Sequence, residues 1–290
     1  MNNHHSVQTG NVILVKKASG EKEPFDAEKL RRSLQNSGAE DRLIEKIVAD
    51  INAWIYPDVT TKKIYSRAFS LLRRERTAAA MRYKLKQAIM ELGPTGYPFE
   101  NFIGEIFKNQ GFKIEVGIVT EGNCVTHEMD VIATNNKIQH LVECKYSKDQ
   151  GKNISVQVPL YVRSRVNDII KKRKDEQEYS NLLFQGWVIT NTRFSADSIQ
   201  YAQCAGLNLM AWDYPKNQGL KEFIEKEKIY PVTILTNLNK KEKLYLLERG
   251  IVTCNLLNDN IDSLNNLDIN KRKYNRLLKE LNGICRRSHE

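Results

Sequence analysis

The chain reads as an α/β protein in three parts: a mostly helical N-terminal module, a central three-layer α/β domain with a mixed sheet, and a small helical tail. Three observations predict this. Up to about residue 92, one short apolar run precedes several helix-period segments; GPTGYP at 93–98 then sets two prolines and two glycines in six positions, which no helix tolerates. Beyond it, strand-like runs alternate with helical ones, the pattern of a sheet covered by helices. From about 217 the composition turns Asn-, Lys- and Leu-rich.

With 290 residues, 41% hydrophobic and 28% charged, the chain has material for more than one core. No apolar run approaches the roughly 20 residues of a membrane span, so no membrane partner is expected. MNNHHSVQTG lacks the apolar stretch of a secretory signal, so residues 1–10 read as a disordered leader and the expected location is cytoplasmic. Cys124, Cys144, Cys204, Cys254 and Cys285 are scattered, with no C-x-x-C, and read as reduced thiols. A formal charge of +10 and a pI near 9.2 favour a polyanionic partner, with basic clusters at 73–76, 171–174 and 271–273.

In order, residues 11–92 hold the strand NVILVKK, a turn at Ala18-Ser19-Gly20, a helix capped by Asp26 and ended by Gly38, and helices DRLIEKIVADINAWIY, KKIYSRAFSLLRRE and AAAMRYKLKQAIMEL. After the 93–98 linker, residues 99–216 give a helix PFENFIGEIFKNQ, strands FKIEVGIV, MDVIAT and IQHLVECK, a helix over about 154–178, the strand LLFQGWVIT, the helix SADSIQYAQCAG and the strand LNLMAWD. The tail, 217–290, contains NKKEKLYLLERG, VTCNLLND and NKRKYNRLLKELNG as short helices.

The chemistry concentrates in MDVIATNNKIQHLVECK. Strand alternation puts Glu143 and Lys145 on one face and Cys144 on the other. If the two runs pair, Asp130 stands beside Glu143. Two carboxylates and the Cys144 backbone carbonyl are the hard oxygen ligands Mg²⁺ prefers, and Lys145 is placed to orient water or to stabilise charge on phosphorus. In the helix at 98–110, Phe99, Phe102, Ile103, Ile106 and Phe107 make one apolar stripe. Glu100 falls on its margin and Glu105 toward solvent, so Glu100 is the expected third carboxylate and Glu105 the substitute. His127 and His140 read as surface or strand-edge histidines, not zinc ligands.

The order helix-Glu, Asp, Glu-x-Lys, helix resembles the PD-(D/E)XK nuclease core, and PFENFIGEIFKNQGF with GWVITNTRFSADSIQYAQCAGLNLMAWD resembles its Mrr-type restriction endonuclease branch. Glu143 stands where Mrr-like chains commonly have Gln, and Met129 where a proline usually precedes the Asp. Gln157-x-x-x-Tyr161 is similar to a Gln-x-x-x-Tyr motif of the RecB-like branch, with Pro159 implying a late or distorted helix start. The resemblance implies a Mg²⁺- or Mn²⁺-dependent endonuclease acting on DNA, with Glu100, Asp130, Glu143, Lys145 and Gln157 in the site and Asp130, Glu143 and the Cys144 carbonyl on the metal. A role in defence against foreign DNA is also implied.

VKKASGEKEPFDAEKL, TTKKIYS and AAMRYKLKQAIMELG resemble the ATP-cone, a regulatory nucleotide-binding module. That implies ATP or dATP as regulatory ligand, with Lys16, Lys17, Glu23, Phe25, Lys29 and Thr61 in its site, and a homo-oligomer is expected. The Asp usual after the cone's first basic residue is absent. The tail loosely resembles a helix-hairpin-helix module, with Gly250 between its helices. The competing expectations are a non-catalytic nucleotide-sensing DNA-binding regulator and an RNase.

Overall fold

The computed structural model describes residues 13–17, 19–75 and 77–285, apart from the side chains of 77 and 78. The leader at 1–10 lies outside them. The chain divides into two compact units, one ending at Tyr83 and the other beginning at Lys84.

The first unit opens with an antiparallel hairpin, β1 (Leu14–Lys16) and β2 (Lys22–Pro24), in which Val15 faces Glu23. Four helices come next: α1 (Ala27–Asn36), α2 (Asp41–Trp54), α3 (Thr61–Glu75) and α4 (Thr77–Tyr83). Asp26 caps α1 by accepting from the Lys29 amide at 3.0 Å. Leu30, Leu34, Ile44, Ile51, Ile64 and Leu72, drawn from three amphipathic helices, form the core.

The second unit begins with α5 (Leu85–Met90). The sequence pattern predicts one helix through AAAMRYKLKQAIMEL within a module ending at 92, but the structure breaks it at Lys84 and packs α5 against residues of the second unit. Tertiary bonds decide this: Thr233 Oγ1 donates to the Ala88 carbonyl at 2.6 Å, Tyr146 donates to that of Met90 at 2.7 Å, and Lys243 pairs with Glu91 at 2.7 Å. The 93–98 segment is likewise part of the packing, since a Cβ on Gly93 would lie 2.7 Å from the Tyr146 hydroxyl.

Then come α6 (Tyr97–Asn109), β3 (Lys113–Glu121), β4 (Thr126–Thr134), β5 (Ile138–Lys145), β6 (Asn153–Ile154), α7 (Gln157–Lys174), β7 (Leu183–Thr190), β8 (Arg193–Phe194), α8 (Ala196–Ala205) and β9 (Asn208–Met210). The five-stranded sheet runs β3-β4-β5-β7-β9, antiparallel through β5 and parallel beyond, a mixed sheet. The side chains of β5 distribute the layers: His140 stacks on Phe107 of α6, whereas Gln139 and Glu143 bond to α7. Gly104 lets α6 approach closely, for a Cβ there would sit 3.1 Å from Val116. On the other face Val162, Val166 and Ile169 of α7 pack on Leu141 and Val188. Pro159 sits in the first turn of α7, where no helical N–H is missed, so the helix starts at Gln157 undelayed.

The chain finishes with α9 (Leu220–Glu227), α10 (Lys240–Leu247), α11 (Cys254–Asp259) and α12 (Lys271–Cys285). Asn239 and Glu242 form a reciprocal capping box on α10. Among the described residues no helix is long and apolar enough to cross a membrane.

Candidate active site

The register of β4 and β5 pairs Val131 with Val142, so the next positions outward, Asp130 and Glu143, stand opposite each other. Asp130 accepts a hydrogen bond from the Cys144 amide at 2.6 Å. Glu143 is almost wholly buried and has both oxygens engaged. Oε1 takes Lys145 Nζ at 2.6 Å and the Tyr161 hydroxyl at 2.9 Å, while Oε2 takes Arg165 Nη1 at 2.8 Å. Lys145 remains about a third exposed, at the mouth of the cluster.

Electrostatics bring the fourth member in. Burial first, then the charges of Asp130, Glu128 and Glu143, push the Glu100 carboxyl up to about 7. Burial and then Glu143 push Asp130 up to about 6. Burial pulls the Lys145 ammonium down, but its bonds to Glu143 and Tyr161 outweigh that and raise it. The Cys144 thiol, on the opposite strand face, is held protonated by burial and then by the nearby carboxylates. Glu105 is turned elsewhere and pairs with Lys108 at 3.3 Å.

Thus Asp130, Glu143 and Lys145 are brought together, and Glu100 lies near enough to feel the charges of Asp130 and Glu143. Gln157 does not bond into the cluster: it is exposed at the start of α7 and has no hydrogen-bond partner among the described residues. One turn later Tyr161 makes the contact, and a further turn on Arg165 makes another. The sequence pattern does not single out Arg165, although positions 157, 161 and 165 share one helical face by their spacing of four.

Of the two histidines, His140 is buried and not a surface or edge residue, whereas His127 is half-buried near the start of β4, outside the pairing with β5. His140 is buried between Phe107, Phe112 and Trp187, accepts from Trp187 Nε1 at 3.1 Å, and is pulled down to about 4 by burial. His127 pairs with Asp168 at 2.8 Å, and Asp168 also ties down the amides of Cys124 and Val125. Both lie in contacts made by distant segments, which their own sequence neighbours do not reveal.

The donor set fits a hard divalent cation. Mg²⁺ characteristically takes one or two carboxylates and completes its shell with water and substrate phosphate. Asp130 and Glu143 are such a pair, and the part of the upward push on Asp130 and Glu100 that comes from neighbouring carboxylates, behind burial, is repulsion a cation would relieve. Among the described residues no three His, Cys, Asp or Glu side chains gather closely enough to enclose a metal by themselves.

In the first unit, Lys17 meets Glu23 at 2.9 Å and Lys29 meets it at 3.7 Å; the Lys17 bond, against some burial, holds the Glu23 carboxyl below its usual range. Lys16 is exposed and its amide bonds to the Val59 carbonyl, which brings the end of β1 beside Thr60 and the start of α3 at Thr61. Phe25 packs on the core.

Comparison with known proteins places the domains around this cluster. Residues 93–216 match the family model described as "Restriction endonuclease", and 230–285 match "AF1548-like, C-terminal". An "Uncharacterized protein" of Archaeoglobus fulgidus is 28% identical over 187 residues, 63% of this chain and 99% of its own length. The crystal structure of "Protein of Unknown Function AF1548" has a TM-score of 0.53 at 25% identity, over 66% of this chain and 99% of that one. That of "MspJI Restriction Endonuclease in Complex with 27-mer Oligonucleotide" gives a TM-score of 0.35 at 12% identity, over 69% of this chain and 41% of that one, an overlap that does not establish a common fold. Residues 93–216 are a restriction-endonuclease-like domain, and the buried acidic cluster lies within it.

Proposed function

We propose that the protein is a metal-dependent endodeoxyribonuclease. The observation that carries the reading is the opposed Asp130–Glu143 pair with Lys145 at its mouth, inside the segment matched by the restriction endonuclease model. Asp130, Glu143 and the Cys144 carbonyl would hold Mg²⁺ or Mn²⁺, which when bound neutralises phosphate charge and acidifies water. The chain's own groups do the rest. Lys145 donates toward the scissile phosphate or the attacking water. Tyr161 and Arg165 fix the rotamer of Glu143, and Glu100 is poised to accept a proton at neutral pH. DNA as the substrate is supported by the family match and the net positive charge, and defence against foreign DNA is a natural use of such an enzyme.

Supercoiled plasmid incubated with Mg²⁺ or Mn²⁺ tests this. Wild type should nick or linearise it, EDTA should stop the reaction, and Asp130→Asn or Lys145→Ala should lower the rate by about 10²–10³-fold. Variants cutting as fast as wild type would overturn the reading.

For the first unit we propose regulation by ATP or dATP at the end of β1, where Lys16, Lys17 and Lys29 gather near Glu23 and the start of α3. Equilibrium dialysis with labelled ATP should give saturable binding that Lys16→Ala/Lys17→Ala removes. An unchanged isotherm would refute it.

A further inference from the structure

We propose that the outer face of α12 is a second nucleic-acid contact, a stripe that grips the phosphate backbone of duplex DNA away from the acidic cluster. It rests on the reading of the chain as a DNA-processing protein. Arg272, Asn275, Arg276 and Lys279 line a furrow of about 320 Å³ on this helix. The three cations lie along the helix at spacings of four and three, so they share one face.

Charge is sorted across α12. Its one acidic residue, Glu280, points inward, 2% exposed, and accepts from the amides of Thr236 and Asn237 at 3.1 and 3.2 Å. Lys273 turns the other way and meets Glu242 at 2.6 Å. Leu277, Leu281 and Ile284 complete the buried side. Among the described residues Arg272, Arg276 and Lys279 have no ion-pair partner, and all are exposed.

Such an arrangement costs the isolated helix stability, because like charges at i, i+4 repel. A polyanion lying along the stripe reverses that sign. From Arg272 to Lys279 the helix advances about 10 Å at 1.5 Å per residue. Successive phosphates of a strand advance about 3.4 Å along the duplex axis, so the stripe matches on the order of three of them. Asn275 adds a neutral donor between the cations. Contacts of this kind set register and affinity without reading sequence.

The test is duplex binding by the full-length protein in EDTA, monitored by fluorescence anisotropy across a salt series. The triple variant Arg272→Gln/Arg276→Gln/Lys279→Gln should bind about 10²-fold or more weakly at about 50 mM salt, and its log–log salt slope should be shallower by about 2.7, three contacts at 0.9 each. Between about 50 and 200 mM salt, its affinity should therefore fall about 40-fold less than that of wild type. Arg272→Lys/Arg276→Lys/Lys279→Arg keeps the charge and should keep the slope. Unfolding midpoints should stay level, excluding a folding defect. An unchanged slope in the Gln variant overturns the proposal, as does wild type that ignores duplex DNA or prefers duplex RNA. Wild type that binds with the steep slope yet never cuts plasmid overturns the nuclease reading and leaves this one standing.

Discussion

The two ends of β5 both bury polar groups under α7, but they do so in opposite electrical states. At the start of the strand, Arg173 donates to Gln139 and, at 2.9 Å, to Thr120, while its guanidinium stacks 4.9 Å from the Tyr179 ring centre. A cation meets neutral acceptors, and the assembly is closed, with Gln139 3% and Arg173 6% exposed. At the end of the strand, Glu143 meets Lys145, Arg165 and Tyr161, yet burial, and then the charges of neighbouring carboxylates, push the Asp130 and Glu100 carboxyls up to about 6 and about 7. One end is satisfied by what is there, while the other gathers three carboxyls around two cations, with Lys145 about a third exposed. On the proposed reading, the difference separates a structural use of buried polarity from a chemical one.

Stability should respond most strongly at the structural end. Arg173→Met strands Gln139 and Thr120, and should lower unfolding free energy in urea by about 2–4 kcal/mol while leaving cleavage per folded molecule unchanged. Asp130→Asn should do the reverse, slowing cleavage by about 10²–10³-fold with stability at pH 7 equal to or above wild type, because a desolvated like charge is removed. If both variants lose stability equally, the contrast between the two ends collapses.

A smaller effect is expected from pH. Asp130 and Glu100 have folded pKa values above their unfolded ones, so the folded state holds protons that the unfolded state has released. Their contribution to stability is present below about pH 4 and is lost as pH rises through about 6 and 7. In the absence of divalent metal, wild type should therefore weaken between pH 5 and 8 relative to Asp130→Asn/Glu100→Gln, as read from thermal midpoints. Parallel curves would deny the crowding.

The mildest change is expected at His140, whose lowered pKa has the opposite consequence. The unfolded chain takes up a proton first, so stability is intact above about pH 6.5 and declines as pH falls toward 4. His140→Phe should flatten that acid-side loss, cost about 1 kcal/mol at pH 7 through the missing Trp187 bond, and leave cleavage alone. Chemical denaturation at pH 5 and 7 measures both.

Legibility in the sequence depends on where each interaction is encoded. The sheet strands that carry the site have continuous apolar runs; strand periodicity puts Glu143 and Lys145 on one face, and the observed pairing of the two runs sets Asp130 opposite Glu143. The stripe margin of α6 is the signal that singles out Glu100, and in the structure it is Glu100 that feels the charges of Asp130 and Glu143 while Glu105 pairs with Lys108. Arg165 is missed because its role depends on α7 crossing the sheet at one register, which the apolar pattern of that helix does not specify. The burial of His140 is hidden similarly, since Phe107, Phe112 and Trp187 arrive from three separate segments. In β2 the residues Lys22-Glu23-Pro24 have no strand signature and pair only because β1 lies alongside. The break at Lys84 has no local breaker and comes from tertiary bonds to α5.

Calorimetric titration of Mg²⁺ into the DNA-free protein at pH 7 asks whether the crowded end of β5 is a cation site. One saturable site per chain is expected, with a rise in thermal midpoint on adding metal and loss of both in Asp130→Asn but not in Arg173→Met. Equal metal binding by wild type and Asp130→Asn, or none by either, would show that the carboxyls gathered there serve some other end.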